Sequence, residues 1–278
     1  MTNKSKSKSC NLLYPFGLNE VLASQQSGIM PQHHSLKHRP RAMQASLFDQ
    51  QAIGSEPIRH DLQQLLPHEQ SARAEPSGSL VEYPAALLAN TADQLFATLL
   101  KVIPWRQETL RIAGRTLPVP RLQCWMGDAN SVYGYSGMRL EPEPWQEDVQ
   151  RIRALVERLA GQSFNSVLLN LYRDGQDSVA WHADDEAELG PAPVIASVSL
   201  GAERRFQLKP KVATPRSQCQ ILLKHGSVLV MDQHVQQHWL HQVPKDKTLS
   251  APRINLTFRQ ILSPQQTSSA PGERAADD

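Results

Sequence analysis

Arg253-Ile254-Asn255-Leu256-Thr257-Phe258-Arg259 alternates polar and apolar residues without a break. In an extended strand successive side chains point to opposite faces, so Arg253, Asn255, Thr257 and Arg259 share one side. Working back from this stretch, β-rich runs recur at 166–172, 194–200, 205–208, 218–223, 228–231 and 239–243, all after Phe164, with Gly-, Pro- and Asp-rich turns between them. Two helical patterns come before them. Asn90 or Thr91 caps the first, which carries Leu95, Leu99 and Val102 on one side and ends at Pro104. The second runs from about 144 to 160, with Val149, Ile152, Val156 and Leu159 at helical spacing and Gly161 as its stop. This order predicts a mainly β fold with flanking helices, a double-stranded β-helix or jelly roll.

The expected domain covers residues 79–263. Residues 1–78 are rich in Ser, Gln, His and Pro and show little periodicity, so they read as a flexible, disordered extension; residues 264–278 read as a disordered tail. Lys4, Lys6 and Lys8 precede a short apolar patch, but Asn19 and Glu20 cut it short and no cleavage site follows. No apolar run approaches the roughly 18 residues a membrane helix needs. The three cysteines lie far apart and form no metal or disulfide framework. Together these features predict a soluble, cytoplasmic monomer. The net charge of +2 does not announce a nucleic-acid partner, so any electrostatic footprint must be local. Gln44-Ala45-Ser46-Leu47-Phe48 resembles the Gln-x-x-Leu-Phe peptides with which bacterial DNA-associated proteins dock on the replication sliding clamp. Gln44 would set orientation, and Leu47 and Phe48 would be the apolar anchors.

A metal site is legible in His182-Ala183-Asp184, which follows a strand and a turn. Residues two apart in extended chain face the same way, so both side chains can meet one ion. A third ligand must come from another strand. Among His225, His234, His238 and His241, the choice falls on His241, inside the strand-like run 239–244. Two imidazoles and one carboxylate leave positions open for a co-substrate and oxygen, which suits Fe(II). Arg253 and Arg259, turned into a barrel, would be costly to bury unpaired. A dicarboxylate such as 2-oxoglutarate would satisfy both through forked, charge-assisted hydrogen bonds. Asn170 and Tyr172 share a face of the strand before the metal turn and add polar contacts.

With these residues in place the sequence resembles the AlkB family of nucleic-acid dealkylases, in particular the subgroup of DNA repair dioxygenases. The resemblance is carried by Leu168-Leu169-Asn170-x-Tyr172, Trp181-His182-Ala183-Asp184-Asp185-Glu186, His238-Trp239-x-His241-x-Val243-Pro244 and Pro252-Arg253 through Arg259. Upstream, Pro120-Arg121, Gly127-Asp128 and Tyr133-Gly134-Tyr135-Ser136-Gly137 match as well, so the likeness spans about residues 80 to 262. It implies iron held by His182, Asp184 and His241. It implies that Arg253, with Tyr172 and Asn255, grips the distal carboxylate of 2-oxoglutarate, while Arg259 and Asn170 stand at the iron-chelating end. Tyr133, Tyr135 and Glu186 map to the base pocket, and Arg121 joins them on the substrate side.

The implied reaction is oxidative demethylation of 1-methyladenine or 3-methylcytosine, with O2 as co-substrate and formaldehyde and succinate as products. Arg204, Arg205, Lys209, Lys211 and Arg216, with Arg121 and Arg139 beside the presumed lid, are expected to meet phosphates. The alternatives are the same oxygenase acting on RNA, a protein or small-molecule hydroxylase, and a non-catalytic jelly-roll module.

Overall fold

The computed structural model describes residues 56–65, 77–112, 114–131, 133–135, 138–212 and 218–262. The early strands are β1 (Ile58–Asp61), β2 (Ser79–Tyr83), β3 (Thr109–Ile112), β4 (Arg115–Pro118), β5 (Leu122–Gly127), β6 (Tyr133–Tyr135) and β7 (Met138–Leu140). After the helix Glu147–Ala160 come β8 (Ser166–Tyr172), β9 (Val179–His182), β10 (Ile195–Gly201) and β11 (Arg204–Pro210). The last are β12 (Cys219–Leu223), β13 (Ser227–Met231), β14 (Trp239–Val243) and β15 (Arg253–Arg259).

Seven strands form one antiparallel sheet in the order β1-β2-β13-β10-β15-β8-β5, and four form a second in the order β12-β11-β14-β9. The jelly roll expected from the sequence is present, and β15 is an interior strand of the larger sheet, between β10 and β8. All seven residues of β15 are buried. Ile254, Leu256 and Phe258 join a core with Leu95 and Leu99 of the helix Ala89–Val102 and Val149, Ile152 and Val156 of the helix Glu147–Ala160. The other face of the large sheet meets the small one through Ile195, Leu229 and Met231 on one side and Phe206, Leu208 and Trp239 on the other. Helices therefore cover the outside of the large sheet, and the polar side of β15 is left to look between the two sheets. Among the described residues no helix is long and apolar enough to cross a membrane.

The helix Glu147–Ala160 starts and stops for visible reasons. The Gln146 side chain accepts from the Val149 amide at 3.0 Å, and Gly161 adopts φ 68°, the left-handed conformation that glycine enters without steric cost. The helix Ala89–Val102 departs from expectation. It begins at Ala89 with Leu88 as its N-cap residue and no side-chain cap, so Asn90 lies within the first turn and accepts from the Thr91 amide. Val102, expected on the inner face, is half exposed.

Three strands of the large sheet lie before Phe164, where no strand was expected. β2 pairs with β13 and β5 with β8, each in unbroken antiparallel register. β1 falls inside the stretch read as a flexible extension. It pairs with β2, and Leu62 immediately after it is fully buried beside Leu80 and Trp239. Order therefore begins upstream of the expected boundary, because Leu62 supplies apolar surface that the polar residues around it conceal. Gln44, Leu47, Phe48 and the tail 264–278 lie outside the described residues.

Candidate active site

β9 and β14 are paired so that His182 and His241 stand directly opposite each other. Cross-strand neighbours have closely spaced Cβ atoms, and the two rings meet edge to face with centroids 4.3 Å apart. Asp184 follows two residues after His182, just past the end of β9. The ligand atoms of His182, Asp184 and His241 all lie within 4.8 Å of one another. His182 Nδ1 is 2.9 Å from the Ala180 carbonyl. A carbonyl only accepts, so Nδ1 carries the proton and Nε2 is left as a lone-pair donor.

The electrostatics prepare these groups for a cation. Burial lowers the pKa of both imidazoles, that of His241 to about 3, with the neighbouring His182 adding to the effect. Burial alone would raise the Asp184 carboxyl, but Arg259 and then the two imidazoles outweigh it and hold the group down at about 2. At neutral pH the set is two neutral imidazoles and one carboxylate, the protonation state that metal binding requires. Arg259 Nη2 donates to Asp184 Oδ1 at 2.7 Å, both side chains being almost wholly buried.

Arg253 has a different environment. It is 1% exposed, and its Nη2 donates to Ser199 Oγ at 2.9 Å and Asn255 Oδ1 at 2.7 Å. Its Nε and Nη1 find no acceptor at full hydrogen-bond geometry among the described residues, and Tyr172 is the neighbour that supports the charge. The Tyr172 ring centroid lies 5.2 Å from its Cζ. Burial brings its pKa down to about 10, which leaves it charged at neutral pH. A buried guanidinium with two nitrogens unfilled is costly unless an anion completes it. The triad, Arg253, Asn255, Asn170 and Tyr172 all line one cavity. The cavity thus joins a guanidinium fork suited to a carboxylate with a metal-ligand set.

A family model described as the 2OG-Fe(II) oxygenase superfamily matches residues 79–259. The human protein named DNA oxidative demethylase ALKBH2 is 42% identical over 180 residues, 62% of this chain and 69% of that one. The Rattus norvegicus alpha-ketoglutarate-dependent dioxygenase alkB homolog 3 is 37% identical over 203 residues, 70% of this chain and 68% of that one. The Arabidopsis thaliana protein named DNA oxidative demethylase ALKBH2 is 40% identical over 192 residues, 60% and 61% of the two chains.

The chain is an AlkB-family 2OG-Fe(II) oxygenase. It is a dioxygenase that uses Fe(II), 2-oxoglutarate and O2. The donor set of His182, Asp184 and His241 fits the metal, and the unfilled nitrogens of Arg253 fit a carboxylate of the diacid.

The remaining residues expected at the site are placed unequally. Tyr133 and Tyr135 lie on β6, hairpinned with β7, and their side chains are outside the described set. Glu186 is partly buried two residues beyond Asp184 and opens a 3-10 turn, Ala187–Leu189. Arg121 is buried rather than set at the surface for a phosphate, and it lines the same cavity as the triad. It is 4% exposed, and its Nε donates to Asn170 Oδ1 at 2.7 Å and its Nη1 to the Ser178 carbonyl at 3.1 Å. Arg204 is corrected likewise. It is 1% exposed, donates to the carbonyls of Asp174, Asp177 and Pro244, and lies against the Tyr172 ring. Lys211 pairs with Asp185, Arg205 with Asp246, and Lys209 Nζ sits 4.5 Å from the Trp181 ring centroid. Arg216 lies outside the described residues.

Sequence reading missed several polar residues that set the geometry. Gln236 is fully buried, and its Oε1 accepts from the Asp184 backbone amide at 3.0 Å, fixing the carboxylate's position. Ser197 and Ser199 stand opposite Thr257 and Asn255 in the β10–β15 ladder and hydrogen-bond to Asn255 and Arg253. The signal available for the serines was their spacing in Ile195-Ala196-Ser197-Val198-Ser199-Leu200, which repeats the alternation of β15. For Gln236 no local pattern marked it.

Proposed function

We propose that this oxygenase reverses alkylation damage in DNA, oxidatively removing the alkyl group from N-alkylated bases such as 1-methyladenine and 3-methylcytosine. The observation that carries the reading is Arg253, a buried cation with two open donors facing the same cavity as the triad. Similarity to proteins named DNA oxidative demethylase supports DNA as the substrate. In this reading His182, Asp184 and His241 hold the iron. Arg253, with Tyr172 and Asn255, takes the distal carboxylate of 2-oxoglutarate, and Asn170 and Arg259 face its other end. When bound, iron, 2-oxoglutarate and O2 together supply the oxidation that turns an alkyl C–H into C–OH, with the diacid leaving as succinate and CO2.

The chain's own residues orient and protect this chemistry. Arg259 keeps Asp184 ionised and turned toward the imidazoles, while Gln236 anchors its backbone. Leu168, Phe206, Leu223 and Val243 line the cavity with apolar surface that limits water. The target carbon is inaccessible in stacked DNA, so the base must be flipped out, and a damaged base costs less to extrude. Tyr133 and Tyr135 offset the lost stacking, and Glu186 meets the amino edge of a cationic base. A hydroxymethyl group on a ring nitrogen falls apart to formaldehyde and the intact base, so no side-chain nucleophile is required.

The test is formaldehyde release from oligonucleotides carrying 1-methyladenine or 3-methylcytosine, in single- and double-stranded DNA and in RNA. Release from DNA supports the reading. Release from RNA alone would replace it with the RNA alternative, and inertness on every lesion would remove it. We further read the enzyme as a cytoplasmic monomer that docks on the sliding clamp through Gln44, Leu47 and Phe48. Clamp capture should be lost in the Leu47→Ala/Phe48→Ala variant, and unchanged capture would refute the docking.

A further inference from the structure

The two strands that carry the imidazoles are joined by a short ladder. β9 and β14 pair at His182 with His241 and at Val179 with Val243, and the register shifts between these two positions. β15, by contrast, meets β8 over seven positions and β10 over six without a break. Beyond Val243 the chain enters Pro244, whose nitrogen carries no hydrogen to extend a ladder. The pairing that sets the spacing of the two histidines therefore needs support from elsewhere.

Arg204 closes that end from a third strand. It opens β11, which neighbours β14 but not β9. Its Nη2 donates to the Pro244 carbonyl at 2.6 Å, just after β14, and to the Asp177 carbonyl at 2.9 Å, just before β9. One nitrogen thus bridges both strands where their own pairing stops. Nη1 donates to the Asp174 carbonyl at 3.3 Å, in the same loop. The guanidinium reaches the co-substrate side as well. The Tyr172 ring centroid lies 5.3 Å from Arg204 Cζ and 5.2 Å from Arg253 Cζ, within cation–π range of both.

Stability alone is a poor account of this arrangement. Arg204 is 1% exposed, and among the described residues it forms hydrogen bonds to main-chain carbonyls and to no carboxylate. The Asp177 carboxylate is taken by Arg173 and that of Asp246 by Arg205. A buried cation without a paired anion is a costly way to hold a fold together. What the planar guanidinium supplies is several donors at fixed angles, enough to set separate segments against one another. Arg204 stands behind the cavity wall, whereas Val179 and Val243, the pairing next to it, line the cavity.

We propose that Arg204 is a positioning residue of the oxygenase, which keeps His182 opposite His241 and backs the ring of Tyr172. This role presupposes that the two histidines hold the metal and Tyr172 the diacid, as proposed above. Groups that orient metal ligands from outside the ligand set change metal affinity or activity roughly 10–100-fold when removed.

The full chain, freed of metal, is titrated with Co(II) and followed by visible absorption; the KM for 2-oxoglutarate is measured on the iron-loaded enzyme. Arg204→Met should raise the Co(II) Kd and the KM for 2-oxoglutarate roughly tenfold or more each. Arg204→Lys keeps the charge without the fork, should fall between Arg204→Met and wild type, and serves if Arg204→Met does not fold. Val156→Ala, in the helix-side core, lowers the urea midpoint without touching the site and should leave both constants unchanged. Folded Arg204 variants with wild-type constants, or with changes no larger than those of Val156→Ala, would overturn the inference while the ligand assignment stands. His241→Ala tests that assignment separately. If His241→Ala binds Co(II) as tightly as the wild type, the assignment falls and this role with it.

Discussion

Asp184→Ala is expected to lower turnover of an alkylated oligonucleotide at least about a thousandfold, equivalent to ~4 kcal/mol of transition-state stabilisation. Two losses combine in it. The carboxylate that completes the set with His182 and His241 is gone, and Arg259 loses the oxygen it meets at 2.7 Å inside the protein. Removing one partner of a buried ion pair costs about 3–5 kcal/mol of stability. Asp184→Asn separates the two, because an amide oxygen can still accept from Arg259 but ligates a metal poorly. Asp184→Asn should therefore be as inactive as Asp184→Ala while its urea midpoint stays nearer the wild-type value. Full activity in Asp184→Asn, with iron content unchanged, would show that the cation sits elsewhere.

The second large effect concerns Arg253, where activity and stability should move in opposite directions. Arg253→Leu removes the fork for the diacid, so the KM for 2-oxoglutarate should rise about 100-fold or more, in line with the 2–5 kcal/mol typical of truncating a buried charge pair. Without co-substrate, the same variant replaces an incompletely paired buried cation by an apolar side chain, a change that is often neutral or stabilising. Its unfolding midpoint should therefore equal or exceed that of the wild type. Arg253→Lys keeps the charge but not the planar fork, and should fall between the two in KM. Succinate formation as a function of 2-oxoglutarate concentration measures the first effect. An unchanged KM in Arg253→Leu would mean that the diacid binds to other groups.

What could be read in the chain depended on whether the signal was local. The alternation of 253–259 and the apolar spacing of 149–156 report on a single element, and both appear where expected. β5 carries no such cue. In Leu122-Gln123-Cys124-Trp125-Met126 the inner face holds Gln123 and Trp125 and the outer face Cys124 and Met126, so polarity does not alternate. Long-range pairing was less legible still. Arg259 and Asp184 are 75 positions apart, and only the assembled barrel makes them partners. The same holds for Arg121 and Arg204, which look like surface cations until their guanidinium groups are traced to Asn170 and to backbone carbonyls. His241, by contrast, was reachable because a strand-like run surrounded it.

The unbroken ladders on either side of β15, seven rungs to β8 and six to β10, bear on how errors in assembly would show themselves. A shift by a single residue would press two guanidinium groups into the greasy layer under the helices and turn Ile254, Leu256 and Phe258 toward the reaction chamber. A misaligned strand would thus lose solubility and chemistry together, with few half-working states between. Selection for a working chamber on this strand is at the same time selection for correct folding.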